Sequence, residues 1–145
     1  MSLTLEQAST IVDVTLAKGR EMKLPALCVA VLDAGGHLKA LKREDRCGII
    51  RPEIAMGKAW GVLGMGFESS RTIGKHLGER LGFLGALQGM CDGKMVPVAG
   101  GVAIYVGDEI VGAVGVTGAT SDEDEQCALA GIAAAGLTAR AAAAG

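Results

Sequence analysis

Hydrophobic positions along the chain fall into runs of two different periods. Leu5, Ala8, Ile11, Val12 and Leu16 recur at three-to-four spacing, which predicts an amphipathic helix with one apolar face. It opens at Thr4-Leu5-Glu6-Gln7, a capping-box pattern in which the threonine hydroxyl accepts from the amide three residues on and the glutamine reaches back. The rhythm lasts to about Arg20, where KLP breaks it. From Ala26 the period changes: ALCVAVLDAGGHLKALKRED reads as two strands around a turn at Asp33 to Gly36. The first strand, Ala26 to Leu32, is apolar throughout and so predicts burial on both faces. The second sets Leu38, Ala40 and Leu41 against Lys39 and Lys42 and predicts one wetter face.

A helical rhythm returns with Pro52, well suited to a first turn, and continues through Ile54, Ala55, Lys58, Ala59, Val62 and Leu63. Gly64 and Gly66 interrupt it, after which Ser69 or Ser70 caps a short helix through Leu77 and Leu81. Gly82 to Val98, rich in glycine, reads as a long functional loop. Val102 to Val106, the turn Gly107-Asp108 and Glu109 to Val116 form a second hairpin. Gly112 and Gly115 within its return strand indicate bulges or a close approach to the backbone. The acidic run from Thr120 to Glu125 begins the last helix, with Ser121 as candidate cap and carboxylates near the positive end of the dipole. Helix, hairpin, two helices, hairpin, helix predicts an α+β layer architecture.

Size and charge narrow the classes. The chain's 145 residues, half of them hydrophobic, suit one domain over 1–145. Its 14 basic and 16 acidic residues are scattered, with a formal net charge of -2, so no basic stripe is present to meet a phosphate backbone. Aromatics at 3% leave little for base stacking, and nucleic acid is excluded as an expected partner. MSLTLEQAST has no secretion-signal pattern and no apolar run reaches the roughly 18 residues of a membrane span. A cytoplasmic chain without a membrane partner is the expectation. Cys28, Cys47, Cys91 and Cys127 stand far apart with no CxxC pair, which predicts plain thiols.

Several segments then occur together in one order: LTLEQA, VAVLDAGGHLKALKRED, KAW, VPVAGGVAIYVGDEIVGAVGVTGAT and the following DEDE. In this the chain resembles the GlcG/HbpS family, also met as the carboxyl-terminal domain of PduO-type proteins, over nearly its whole length. The resemblance implies a profilin-like or roadblock-like α-β-α arrangement around a five-stranded antiparallel sheet, assembled as homo-oligomers, dimers or multiples of them. For function it implies haem binding, attachment to cobalamin adenosyltransferases, or a place in glycolate-utilisation operons.

The chemical groups admit more than one role. In DAGGH, Asp33 closes an Asx-type turn and the glycines supply positive φ, or else His37 points into a pocket with Arg43 and Asp45 and serves as haem-iron ligand or proton carrier. His76, between Lys75 and Glu79, reads as an exposed helix residue; the resemblance adds an axial-ligand role. The absence of CxxCH excludes c-type haem attachment, and no metal beyond haem iron is expected. Arg43, Arg51, Lys58 and Arg71 are surface charges or together a cationic pocket for a carboxylate or propionate, with Lys58 in the most apolar setting. Pro97 with Gly100 and Gly101 makes either an anion-binding nest or a sharp turn into a strand, and Thr117 and Gly118 could line the same site.

Three functions follow. The first is a haem- or tetrapyrrole-binding protein. The second is a cofactor-independent tautomerase, lyase or hydrolase on a small carboxylate or keto/enol metabolite. There His37 or Lys58 moves the proton, and Arg43, Arg71 or the Gly100-Gly101 amides hold the anion. The third is a non-catalytic sensing or assembly module using the small-residue surface of ALAGIAAAGLTARAAAAG.

Overall fold

The structure, a computed structural model, describes residues 2–140. In chain order it contains α1 (Leu5–Glu21), β1 (Cys28–Asp33), β2 (Leu38–Arg43), α2 (Arg51–Met65), α3 (Ser70–Leu77), α4 (Leu81–Met90), β3 (Gly101–Val106), β4 (Glu109–Thr117) and α5 (Ser121–Ala134). The strands form one antiparallel sheet in the order β2-β1-β4-β3, so the wholly apolar β1 is interior as its composition predicts. α1 opens on the Thr4–Gln7 capping box.

Side-chain size alternates along three of the strands and decides what packs where. Val29, Val31, Val102, Ile104, Val114 and Val116 face α1 and α5 and join Ile11, Val12, Ala128 and Ile132 in the largest apolar cluster. The opposite face carries Cys28, Ala30, Ala103 and Ala113, and α2 lies on it through Ala55, Ala59 and Val62. Gly115 makes this approach possible, because a Cβ there would strike the Ala55 carbonyl oxygen. Gly112 adjoins the register shift between Ile104 and Tyr105. Bulge and close approach are thus both present, one at each glycine.

Three expectations need correction. Among the described residues the sheet has four strands, not five. Past Gly136, at φ 74, the described chain makes one Tyr105–Thr138 bridge to the outer edge of β3, with Arg140 over the Tyr105 ring, and Ser69 bridges Val102 on that edge. Two short contacts cover the edge where a fifth strand would pair. Second, the segment after Gly82 is no loop at first, since α4 occupies most of it. Gly82, Gly85 and Gly89 depress helix propensity and hid it. Third, Thr120 rather than Ser121 caps α5, in a capping box with Glu123. Among the described residues no helix is long and apolar enough to cross a membrane. The alanine-rich tail at 141–145 lies outside the described residues.

Candidate functional site

The residues singled out above divide among separate places. His37 and Arg43 bracket β2 at its two ends, so an extended strand at about 3.3 Å per residue holds them apart. No shared pocket forms. The Asp33 carboxylate accepts from the amides of His37 at 3.0 Å and Gly35 at 2.9 Å, which makes the Asx-type turn. The amide of His37 holds this carboxyl below its usual range, opposed by burial and aided by the amide of Gly35. The His37 ring is 83% exposed, its Nδ1 3.5 Å from Asp33 Oδ1. His76 is also exposed, but its Nδ1 lies 2.9 Å from the Thr72 carbonyl oxygen. A carbonyl only accepts, so Nδ1 is the donor. The ring stacks on Phe67 with centroids 5.2 Å apart.

Lys58, Thr117, Gly118, Gly100 and Gly101 do come together, at the end of the sheet where β1 and β3 begin and β4 finishes. Lys58 is 3% exposed and donates to the Val116 carbonyl at 2.9 Å and to Asp124 Oδ2 at 3.2 Å. Asp124 Oδ1 accepts from the Ala119 amide at 3.0 Å. Burial pushes the Lys58 ammonium below its usual pKa and the Asp124 carboxyl above its own, opposed in each case by the partner's charge. Next to it Arg71 binds Asp122 and the buried Glu125, whose carboxyl burial pushes upward. The acidic run therefore does more than start α5. It fastens that helix to α2 and α3, and Asp124 and Glu125 are the partners that reading the run as a helix start overlooked.

The glycines here serve packing. The Gly101 amide donates to Ser70 Oγ at 2.8 Å, and a Cβ at Gly101 would strike the Lys58 carbonyl. At Gly100, with φ 126, a Cβ would lie 2.8 Å from Lys58 Nζ. Gly118, with φ 133, approaches the Ala26 carbonyl. Thr117 Oγ1 accepts from Arg51 at 2.7 Å. Arg43 is exposed and donates to the Cys47 carbonyl at 2.6 Å. Pro97 lines a cavity of about 460 Å³ with Arg71, Lys75 and Asp122. Burial pushes the Cys28 and Cys127 thiols up to about 11, as befits core cysteines.

A larger, mainly apolar cavity lies elsewhere, on the outer side of α2. It measures about 570 Å³ and is walled by Leu32, Leu38, Ile54, Met56, Trp60 and Val96. Gly36 of the DAGGH turn also lines it, with Trp60 3.3 Å from where its Cβ would be. Glu53, Asp92 and Lys94 are its charged residues, and the Lys94 ammonium sits 5.7 Å from the Trp60 ring centroid. The volume is within the range of roughly 300–1,000 Å³ typical of small-molecule sites. The lone tryptophan was the available sequence signal for this place. Among the described residues no three His, Cys, Asp or Glu side chains cluster to hold a metal.

Comparison with known proteins adds a family. The model of a family described as haem degrading protein HbpS-like matches residues 3–133. The corrinoid adenosyltransferase PduO of Citrobacter freundii is 25% identical over 137 residues, which are 92% of this chain and 39% of that protein. The chain thus spans about two-fifths of that relative's length. The crystal structure of a PduOC:heme complex superposes with a TM-score of 0.86 at 20% identity, covering 97% of this chain and all of that one. A double mutant of Streptomyces reticuli HbpS superposes with a TM-score of 0.78 at 26% identity, covering 92% and 86% of the two chains.

Proposed function

Because the chain belongs to the haem-degrading HbpS-like family, we propose that it binds haem or a related tetrapyrrole. The observation that carries this reading is the apolar cavity of about 570 Å³ beside Trp60. A flat, largely apolar macrocycle gains free energy by leaving water, and indole and thioether walls supply the polarisable surface it packs against. Lys94 stands at the rim, where its ammonium pairs with a propionate. Glu53 and Asp92 oppose a second propionate nearby, so that group points to solvent.

His37 is the iron ligand in this arrangement. Its neighbours Gly36 and Leu38 both line the cavity, and its exposed ring needs only a side-chain rotation to turn toward it. His76 donates from Nδ1 to a backbone carbonyl, as metal-ligating histidines do, but its neighbours do not line this cavity. Lys58 is a poor proton-transfer group for a bound metabolite, since both its hydrogen bonds end on protein atoms. A homo-oligomer belongs to the same proposal: α4 leaves Leu81 72% and Phe83 42% exposed, an apolar surface that a second copy covers.

Haemin titration followed by absorbance tests the reading. A saturable Soret shift near one haem per chain is expected, weakened by His37→Ala and by Trp60→Ala and kept by His76→Ala. Absence of saturation, or a shift indifferent to Trp60→Ala, rejects it.

A further inference from the structure

On the other side of the Trp60 indole lies a second, smaller cavity of about 270 Å³. Four sulfur-bearing side chains line it, Met65, Met90, Cys91 and Met95, with Trp60 and Leu87. The whole chain has six methionines and four cysteines, so half of the methionines converge here. They meet the one cysteine that is not buried.

The local chain is built to bring them together. α4 ends at Met90, and Asp92 and Gly93, at φ 55 and 71, reverse the chain in left-handed geometry. The Gly93 amide donates to the Gln88 carbonyl at 2.8 Å, and the Lys94 amide donates to that of Cys91 at 3.2 Å. Gln88 Nε2 closes the turn by donating to the Met95 carbonyl at 2.7 Å. Met90-Cys91 and Met95 therefore reach one cavity from opposite arms of a hydrogen-bonded reversal. Met95 is seated on Gly61 of α2, where a Cβ would lie 2.8 Å from its Cγ and 3.6 Å from its sulfur. Met65 closes the wall from the last residue of α2.

Filling core gaps is the usual work of methionine. That accounts for Met95, which is 3% exposed, but not for Met90, which is 82% exposed at the mouth. The Cys91 thiol is partly buried against the same cluster, and as a weak donor it meets only Gln88, at 3.6 Å from the side-chain oxygen and 3.9 Å from the carbonyl. No imidazole or carboxylate lines the cavity. Neutral thioethers and one thiol make a soft donor set, which selects Cu(I) and similar monovalent ions over Zn(II), Mg(II) or Ca(II).

We propose that this cavity binds a soft monovalent metal ion, Cu(I) by preference, through the Cys91 thiolate and the thioethers of Met65, Met90 and Met95. Binding replaces the thiol proton: R–SH and Cu(I) give R–S–Cu(I) and one released proton, with no change of oxidation state. The product carries no net charge, which suits an apolar lining. The Trp60 ring borders the ion and reports on it.

The test is an anaerobic titration of the reduced, haem-free full chain with Cu(I) against a chromophoric Cu(I) chelator, with tryptophan emission read in parallel. The expected result is one Cu(I) per chain, quenched Trp60 emission and no displacement by excess Zn(II). Cys91→Ser weakens binding at least about tenfold, and so does Met65→Leu with Met90→Leu. Leucine keeps the volume of methionine, so unchanged thermal unfolding of that double variant shows that the fold is intact. Binding that survives Cys91→Ser belongs to Cys28, Cys47 or Cys127 and overturns the proposal. Loss on Cys91→Ser without loss in the leucine variant also overturns it, leaving a single adventitious thiol. No haem is present, so the outcome is independent of the haem reading.

Discussion

The two faces of the sheet are built on opposite terms. Toward α1 and α5 the strands present Val29, Val31, Ile104, Val114 and Val116, and large side chains interdigitate into one dense cluster. Toward α2 they present Cys28, Ala30, Ala103, Ala113 and Gly115, and the helix sits almost on the strand backbone. The first face gains stability from buried area. The second gains less from area: glycine clearance lets α2 approach, and the pairs Lys58–Asp124 and Arg71–Glu125 fix where α5 meets α2 and α3 rather than add stability. Both cavities beside Trp60 are on this second side. A helix held close by small residues leaves its outer surface, with Met56, Trp60 and Met65, to be covered by α3, α4 and the turn after α4. The space beside Trp60 is therefore a by-product of packing on small residues.

Substitutions sharpen this contrast. The greatest loss is expected for Gly115→Val, which drives a side chain into the Ala55 carbonyl and lifts α2 off the sheet. It should cost about 4 kcal/mol or more in urea unfolding, and near-neutrality would show that α2 is not held by clearance. Next is Lys58→Met. It strands the buried Asp124 carboxylate and should cost about 3–5 kcal/mol, most of it recovered when Asp124→Leu is added. If the double variant is as unstable as the single one, the ion pair itself is the source of stability and the description of this face changes. The smallest effect is expected on the other side, where Ile132→Val removes one buried methylene for about 0.5–1.5 kcal/mol. A loss above 3 kcal/mol there would mean that the dense face is intolerant of small voids, contrary to a core held mainly by area.

Much of the fold is legible in the residue pattern because it depends on short-range rules. The Thr4 capping box, the unbroken apolar run in CVAVLD and the Gly107-Asp108 turn each carry their own local chemistry. α4 was hidden for the converse reason. Its three glycines argue against a helix locally, and contacts of Leu84 and Leu87 with Ile73 and Leu77 override that preference. The site was less legible still. Lys58 was found by its apolar neighbours, but its partner Asp124 stands 66 positions away and reads locally as part of a helix start. Arg71 looked available to an anion, yet two α5 carboxylates already hold it.

The amino-acid order by itself determined every element but α4, their apolar faces, the interior position of β1 and the family. Period, capping and turn chemistry act over a few residues, and the family's motifs occur in a fixed order. Only the tertiary structure decided that the sheet stops at four strands, that the glycines serve close packing and that the cations are already paired. It also decided that the methionines gather beside Trp60. Each of these depends on which distant groups end within a few ångströms of one another, and spacing along a chain does not encode that distance.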